Sequence, residues 1–126
     1  MPMERSHIWL GTFLSEHALD QYFEENFDDD NDAAPINRFA ADQGETFIDH
    51  DRVERSFLQT DNLRLLIRDH SYSEDYLEDV IRVAEANAYA EVNTFVMADE
   101  GEIAAPKSID QSDYKLWYLG VFTCSI

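Results

Sequence analysis

The carboxylates are the residues from which chemistry would start. Residues 24–35 read EENFDDDNDAAP, a run in which six of twelve positions are Asp or Glu and none is basic. Such a run can bind a cation, face a basic partner, or keep a loop solvated. An EF-hand calcium loop places acidic ligands at its first, third and fifth positions, Gly at the sixth and Glu at the twelfth. Counted from Asp28, the first three are Asp28, Asp30 and Asp32, but Ala33 and Phe39 stand where Gly and Glu are needed. The turn and the closing ligand are both missing, so only a weak cation site is left open here.

Other catalytic or metal-binding patterns are thinner. The histidines are His7, His17, His50 and His70; no two have the short spacing of a helical zinc pair, and there is no Cys-x-x-Cys. Asp49, His50 and Asp51 are adjacent, but neighbours on an extended chain point to opposite faces, so only Asp49 and Asp51 could share a side. The sole cysteine, Cys124, has no neighbour that would lower its pKa and reads as a small apolar filler. There is no G-x-S-x-G elbow, and the four glycines, Gly11, Gly44, Gly101 and Gly120, are too far apart for a phosphate loop. With 27 carboxylates, some pair always lies close, so an acid–base pair is not distinguishable by sequence. The expectation is a protein without catalytic residues, metal or other cofactor.

Net charge narrows the partners. Nine Lys and Arg stand against 27 Asp and Glu, a formal net charge of -18 in 126 residues. Such a surface repels nucleic-acid phosphates and anionic membranes, and it suits basic proteins and cations. The length fits one domain over residues 1–126, and 44% hydrophobic with 13% aromatic content supplies a core. No apolar stretch is long enough to span a bilayer, the start lacks a cleavage-site pattern, and a lone cysteine permits no internal disulfide. A cytoplasmic protein is expected.

The elements that must position these residues follow from periodicity. HIWLGTF at residues 7–13 reads as a buried strand. Ser15 offers an N-cap to a helix whose apolar face is Leu19, Tyr22, Phe23 and Phe27, with Glu16, Asp20, Glu24 and Glu25 on the other side. Glu16 suits the helix dipole, whereas Glu24 and Glu25 near the C-terminus oppose it, which weakens a purely structural account of that pair. Pro35 is placed to open a short helix with Ile36, Phe39 and Ala40 inward and Gly44 as its stop. Residues 45–58 read as an edge strand or irregular hairpin. Thr60 or Asp61 caps a short helix carrying Leu63, Leu66 and Ile67, and Ser73 caps the longest one, striped by Leu77, Val80, Ile81, Ala84 and Ala88. EVNTFVMA is a strand, residues 99–113 a polar loop, and YKLWYLGVFTC a last strand whose near-continuous apolar run suits a position covered on both faces.

HIWLGTF and LWYLGVF both place Gly two residues before Phe, after a nearby Trp. The unequal spacing establishes no repeat, but a glycine in a central strand allows a bulge or a close backbone approach. The expected fold is α+β: a small mixed or antiparallel sheet, first and last strands central and side by side, helices packed on it.

IWLGTF followed by SEHALDQYFEE, then IDHDRVE, HSYSEDYLEDVIRVAEA, VNTFVMAD and YLGVF, in that order and spacing, resemble the bacterial immunity protein 22 family of polymorphic toxin and contact-dependent inhibition systems. The resemblance covers residues 7–122. It implies a small cytoplasmic protein that binds and neutralises a cognate toxin domain, often a nuclease; it implies no catalytic residues. FDDDND is longer than the family pattern, so no interface residue is carried over.

Charge and resemblance meet at one expectation. A nuclease needs a basic surface to hold phosphates, and a carboxylate-rich protein can occupy it. The expected partner-binding residues are Glu24, Glu25, Asp28, Asp29, Asp30 and Asp32, with Glu74, Asp75, Glu78 and Asp79, and with an exposed aromatic among Tyr22, Phe27 and Tyr72 as anchor. Two alternatives stay open: an acidic DNA mimic that regulates a nucleic-acid-binding protein, and a small hydrolase using Asp49, Asp51 or His50. Oligomeric state is left open.

Overall fold

The structure is a computed structural model, and it describes residues 3–26, 34–89 and 91–125. Among these residues five strands form one antiparallel sheet: β1 (Met3–Phe13), β2 (Val53–Phe57), β3 (Thr94–Asp99), β4 (Ile109–Asp110) and β5 (Tyr114–Ser125), in the order β2-β3-β1-β5-β4. Among the described residues four α-helices accompany it: α1 (Glu16–Tyr22), α2 (Arg38–Asp42), α3 (Leu63–Ile67) and α4 (Ser73–Asn87). The fold is α+β, with the first and last strands paired side by side and β1 in the middle of the sheet.

The alternation along β1 explains why it is apolar throughout. Trp9 and Phe13 project to one face, where Leu19, Tyr22 and Phe23 from the α1 region and Phe39 and Ala40 of α2 cover them. Ile8 and Leu10 project to the other, under Leu66 and Ile67 of α3 and Tyr76, Val80 and Ala84 of α4. A strand with both faces covered loses the polar half of its pattern. The buried indole of Trp9 keeps its hydrogen bond by donating Nε1–H to the Lys107 carbonyl at 3.0 Å.

The two strand glycines do different things. A Cβ at Gly11 would lie 2.6 Å from the Lys115 carbonyl oxygen, so Gly11 permits a close backbone approach of β1 to β5. At Gly120 the backbone takes φ +122° beside a break in register, where Ile8 pairs with Gly120 and Trp9 with Tyr118. That skipped residue is a β-bulge.

Several local expectations shift. Pro35 does not open α2; Asn37 caps it, its Oδ1 accepting the Ala40 N–H at 2.7 Å. Gly44, at φ +77°, does end that helix: its N–H reaches Ala41 O and the Glu45 N–H reaches Ala40 O, a Schellman closure. Asn62, rather than Thr60 or Asp61, caps α3. Ser73 is the first residue of α4, not its cap, and its hydroxyl donates to the Arg68 carbonyl at 2.7 Å. The cap position is Tyr72, held in the left-handed region at φ +58°. Tyr76 replaces Ala88 in the buried stripe of α4, because Ala88 takes the left-handed conformation that ends the helix. Residues 50–52 form a 3-10 turn instead of extended chain, so the alternating sides expected for Asp49, His50 and Asp51 do not arise.

Candidate functional site

Strand register brings carboxylates together that are far apart in the chain. Glu4 lies opposite Cys124, Ser6 opposite Asp99, and Glu54 opposite Met97, all on the face that α3 and α4 cover. Helix α4 begins at Ser73, so this end of the sheet is left unroofed except by the turn that carries Ser71 and Tyr72. The result is a cleft of about 170 Å³ walled by Glu4, Asp51, Glu54, Asp99, Arg52 and Tyr72, with Cys124 buried in its lining.

The cleft is acidic. Four carboxylates face one guanidinium, and Arg52 is itself shared between Asp99 at 3.8 Å and Glu102 at 3.7 Å. Burial pushes the Glu54 carboxyl up, but the Ser71 N–H and the His70 ring outweigh it and hold the group below the ordinary carboxylate range. Burial raises the Cys124 thiol, and Asp75, Glu4 and Glu54 raise it further. A thiol pushed up in this way is a poorer nucleophile near neutral pH. Tyr72 stands on the rim with 49% of its surface exposed.

The expected binding residues distribute unevenly. Glu24 is exposed. The Glu25 carboxylate is only 20% exposed and lies 3.3 Å from His50 Nδ1. Asp28, Asp29, Asp30 and Asp32 lie outside the described residues, as does Phe27. Glu74, Asp75, Glu78 and Asp79 are exposed on the first turns of α4. Glu78 takes a two-pronged ion pair from Arg64, Nη2 to Oε2 at 2.9 Å and Nη1 to Oε1, and Asp79 pairs with Arg82 at 3.0 Å. Tyr22 is not an exposed anchor; it is buried and donates its hydroxyl to Asp42 at 2.8 Å.

Glu24 and Glu25 follow α1, which packs against Trp9, whereas the acids of α4 lie on the helix that packs against Ile8 on the opposite face. They meet around β2. His50 lies 3.3 Å from Glu25 and 3.3 Å from Asp51, and Asp51 walls the same cleft as Tyr72. One acidic rim therefore runs from Glu25 through Asp51 and Glu54 to Tyr72 and the start of α4.

The residues considered for hydrolysis are otherwise engaged. Asp49 caps the 3-10 turn by accepting the Asp51 N–H at 3.0 Å, and its own N–H donates to Glu102 Oε2 at 3.1 Å. Asp51 is 82% exposed and lies 3.3 Å from His50 Nε2. Among the described residues no group of three or more His, Cys, Asp or Glu could hold a metal ion.

Sequence reasoning named Tyr72 and the α4 acids; the cleft contains Tyr72 and adds Glu4, Glu54 and Asp99. The available signal was polar residues at inward positions of otherwise apolar strands, which marks a place where the covering layer stops.

Comparison with known proteins adds the family. No curated protein and no solved structure matches the chain. A family model described as Immunity protein 22 matches residues 6–124, nearly the whole sequence, and the chain belongs to that family.

Proposed function

We propose that this protein binds a cognate toxin domain through the acidic rim and neutralises it without catalysis. Membership in an immunity-protein family supports toxin neutralisation through a protein partner. The finer reading is that the toxin presents a basic surface, as a nuclease does, and that carboxylates of this chain occupy the phosphate-binding positions. The observation that carries it is the cleft itself. Glu4, Asp51, Glu54 and Asp99 converge beside an exposed tyrosine, in a volume suited to one Lys or Arg side chain.

The acids divide the work by depth. Glu24, Glu74 and Asp75, with Asp28, Asp29, Asp30 and Asp32 in the acidic run, steer the encounter over distances of about one Debye length, ~10 Å at moderate salt. Such steering raises association from about 10⁵–10⁶ toward 10⁸ M⁻¹s⁻¹. Tightness comes from a few desolvated contacts, here a basic side chain entering the cleft and packing on Tyr72. Glu78 and Asp79, already paired with Arg64 and Arg82, contribute less.

The test is co-expression with the C-terminal domain of the protein encoded beside this one. Survival only in the presence of this chain, with a stoichiometric complex on purification, is the expected result. Association with the isolated toxin domain then slows steeply as salt rises. Protection that persists when Glu4, Glu54 and Asp99 are all replaced by their amides would remove the cleft from the interface. Neither protection nor complex overturns the whole reading.

A further inference from the structure

Strand β2 is the outermost strand on one side of the sheet. The Leu58 N–H donates to the Asn93 carbonyl at 2.9 Å, next to the pair of Phe57 with Thr94. Along an antiparallel ladder the direction of the backbone groups alternates. Glu54 and Ser56 therefore aim their N–H and C=O groups at β3, whereas Arg55 and Phe57 aim theirs outward. Among the described residues, the outward groups of Arg55 and Phe57 meet no hydrogen-bond partner, and neither does the Val53 carbonyl.

A groove of about 400 Å³ runs along this edge. All of β2 lines it, with Glu16, Leu19 and Asp20 of α1 on one side and His70 on the other. A sheet edge is ordinarily guarded by a covering element or by a charged side chain that stands in the way. Here Arg55 is drawn aside. Its guanidinium lies 4.8 Å from the centre of the Phe23 ring and 3.5 Å from Asp20. On the other face His70 lies 3.1 Å from Glu54 Oε1 and 2.8 Å from Ser56 Oγ. Both walls are tied to the strand, and the backbone between them is open.

We infer that the toxin lays an extended segment along β2 as a further strand of the sheet, with basic residues at alternate positions facing Glu16 and Asp20. The unpaired backbone groups select an extended main chain, which supplies affinity through hydrogen bonds while its alternate side chains supply specificity. Charge selects a basic segment. Glu16, Asp20 and Glu54 line the groove against the single guanidinium of Arg55, so an acidic segment is repelled. Spacing sets the alternation. Glu16 and Asp20 are one turn apart on α1, about 5–6 Å between Cβ atoms, close to the roughly 6.8 Å between alternate residues of a strand. Position agrees with both. The acids that follow α1 and those of α4 meet around β2, and Glu54 lines this groove as well as the cleft beside Tyr72.

Because the occupant is the toxin, strand addition rests on the toxin-binding reading, and its test uses the same C-terminal domain of the neighbouring protein. Residue-resolved amide exchange comes first. In the free chain Arg55 and Phe57 should exchange quickly while Glu54 and Ser56 are protected; in the complex Arg55 and Phe57 should slow at least about tenfold. Arg55→Pro removes the outward N–H and suits an edge position. Against Arg55→Ala, which loses the same guanidinium but keeps the N–H, it should weaken the complex about tenfold or more. Glu16→Gln combined with Asp20→Asn should weaken it about three- to tenfold, mainly through slower association. A complex in which Arg55 and Phe57 exchange as fast as in the free chain overturns strand addition and leaves toxin binding standing. An Arg55→Pro protein that binds as tightly as Arg55→Ala does the same. If Glu16→Gln with Asp20→Asn binds like wild type, the basic alternation is overturned. No complex at all overturns both readings. The exchange measurement uses the wild-type chain, so a misfolded Arg55→Pro variant leaves the test intact.

Discussion

Glu54 Oε1 lies 3.1 Å from His70 Nδ1 and accepts the Ser71 N–H at 3.0 Å, so one carboxylate ties β2 to the turn that presents Tyr72. Its folded pKa is held below the ordinary value of 4.5 by those hydrogen bonds, against the upward push of burial. A lowered carboxylate pKa means stability that is present above the unfolded value and is lost as pH falls through the folded one. Glu54→Gln should therefore flatten the stability profile below about pH 5, with little change in slope above it. The side chain is 35% exposed, so the effect is screened and amounts to about 1 kcal/mol at most. Urea midpoints of both proteins between about pH 3 and pH 7 measure it, and parallel profiles would show that Glu54 titrates as if unfolded.

Asn93 shows a second way in which one side chain continues the sheet. Its Oδ1 accepts the Phe13 N–H at 2.9 Å and its Nδ2 donates to the Phe13 carbonyl at 2.8 Å, beyond the last β1–β3 pair of Gly11 with Thr94. Gln43 does the same for Lys107, accepting its N–H at 2.6 Å and donating to its carbonyl at 3.1 Å. Asn93→Ala leaves a buried peptide unpaired on both sides and should cost about 1–3 kcal/mol, with faster exchange of the Phe13 amide. Asn93→Asp keeps the acceptor, loses the donor and buries a charge, so it should be no better tolerated than the alanine.

These contacts mark where sequence reading succeeds and fails. Strands β1, β3 and β5 and the long helix were legible because period-two and helical stripes are local signals, and the adjacency of the first and last strands followed from their shared glycines; β4 at Ile109–Asp110 lies in a stretch that reads as a polar loop. Gly11 and Gly120 were legible as a pair of backbone requirements, although which was the close approach and which the bulge was not. Tyr76 takes the buried place expected of Ala88, because the left-handed break at Ala88 depends on how the helix leaves the sheet. The caps at Asn37 and Asn62 competed with equally good neighbours, Pro35, Thr60 and Asp61. The cleft was illegible for a different reason. Glu4, Glu54 and Asp99 meet only through the registers of β1 with β3 and β2 with β3, and long-range register leaves no trace in a single chain.

Gly11 and Gly120 separate clash from conformation. A methyl group at Gly11 meets the Lys115 carbonyl at 2.6 Å and Leu116 Cδ2 at 2.9 Å, with ordinary strand backbone. Gly11→Ala should push β1 from β5 and cost about 1–3 kcal/mol as overpacking. At Gly120 nothing lies within 4 Å of an added Cβ, but φ +122° is strained for any L-residue. Gly120→Ala should also cost about 1–3 kcal/mol, through backbone strain alone. The distinguishing measurement is the response to Leu116→Ala, which removes the 2.9 Å contact at Gly11, though not the 2.6 Å one with the Lys115 carbonyl, and changes nothing at Gly120. Coupling in a double-mutant cycle is expected for Gly11 only.

Tyr72 joins strain to exposure at the rim of the cleft. It sits at φ +58° with no side-chain cap for α4, and its ring is 49% exposed. A left-handed conformation costs a non-glycine residue about 1–2 kcal/mol, and the exposed ring recovers little of that by burial within the chain. Tyr72→Gly should therefore stabilise the fold by up to about 1 kcal/mol, part of the gain being offset by the freer unfolded chain. If the ring is the anchor for the toxin, the same substitution should weaken the complex about tenfold or more, chiefly by faster dissociation. Tyr72→Ala keeps the strain and loses the ring, so it should weaken binding equally without the gain in stability. Stability and affinity moving in opposite directions in the glycine variant would assign the strain to function. A stabilised Tyr72→Gly protein that binds the toxin as tightly as wild type would instead leave Tyr72 as a costly helix start and move the anchor elsewhere on the acidic rim.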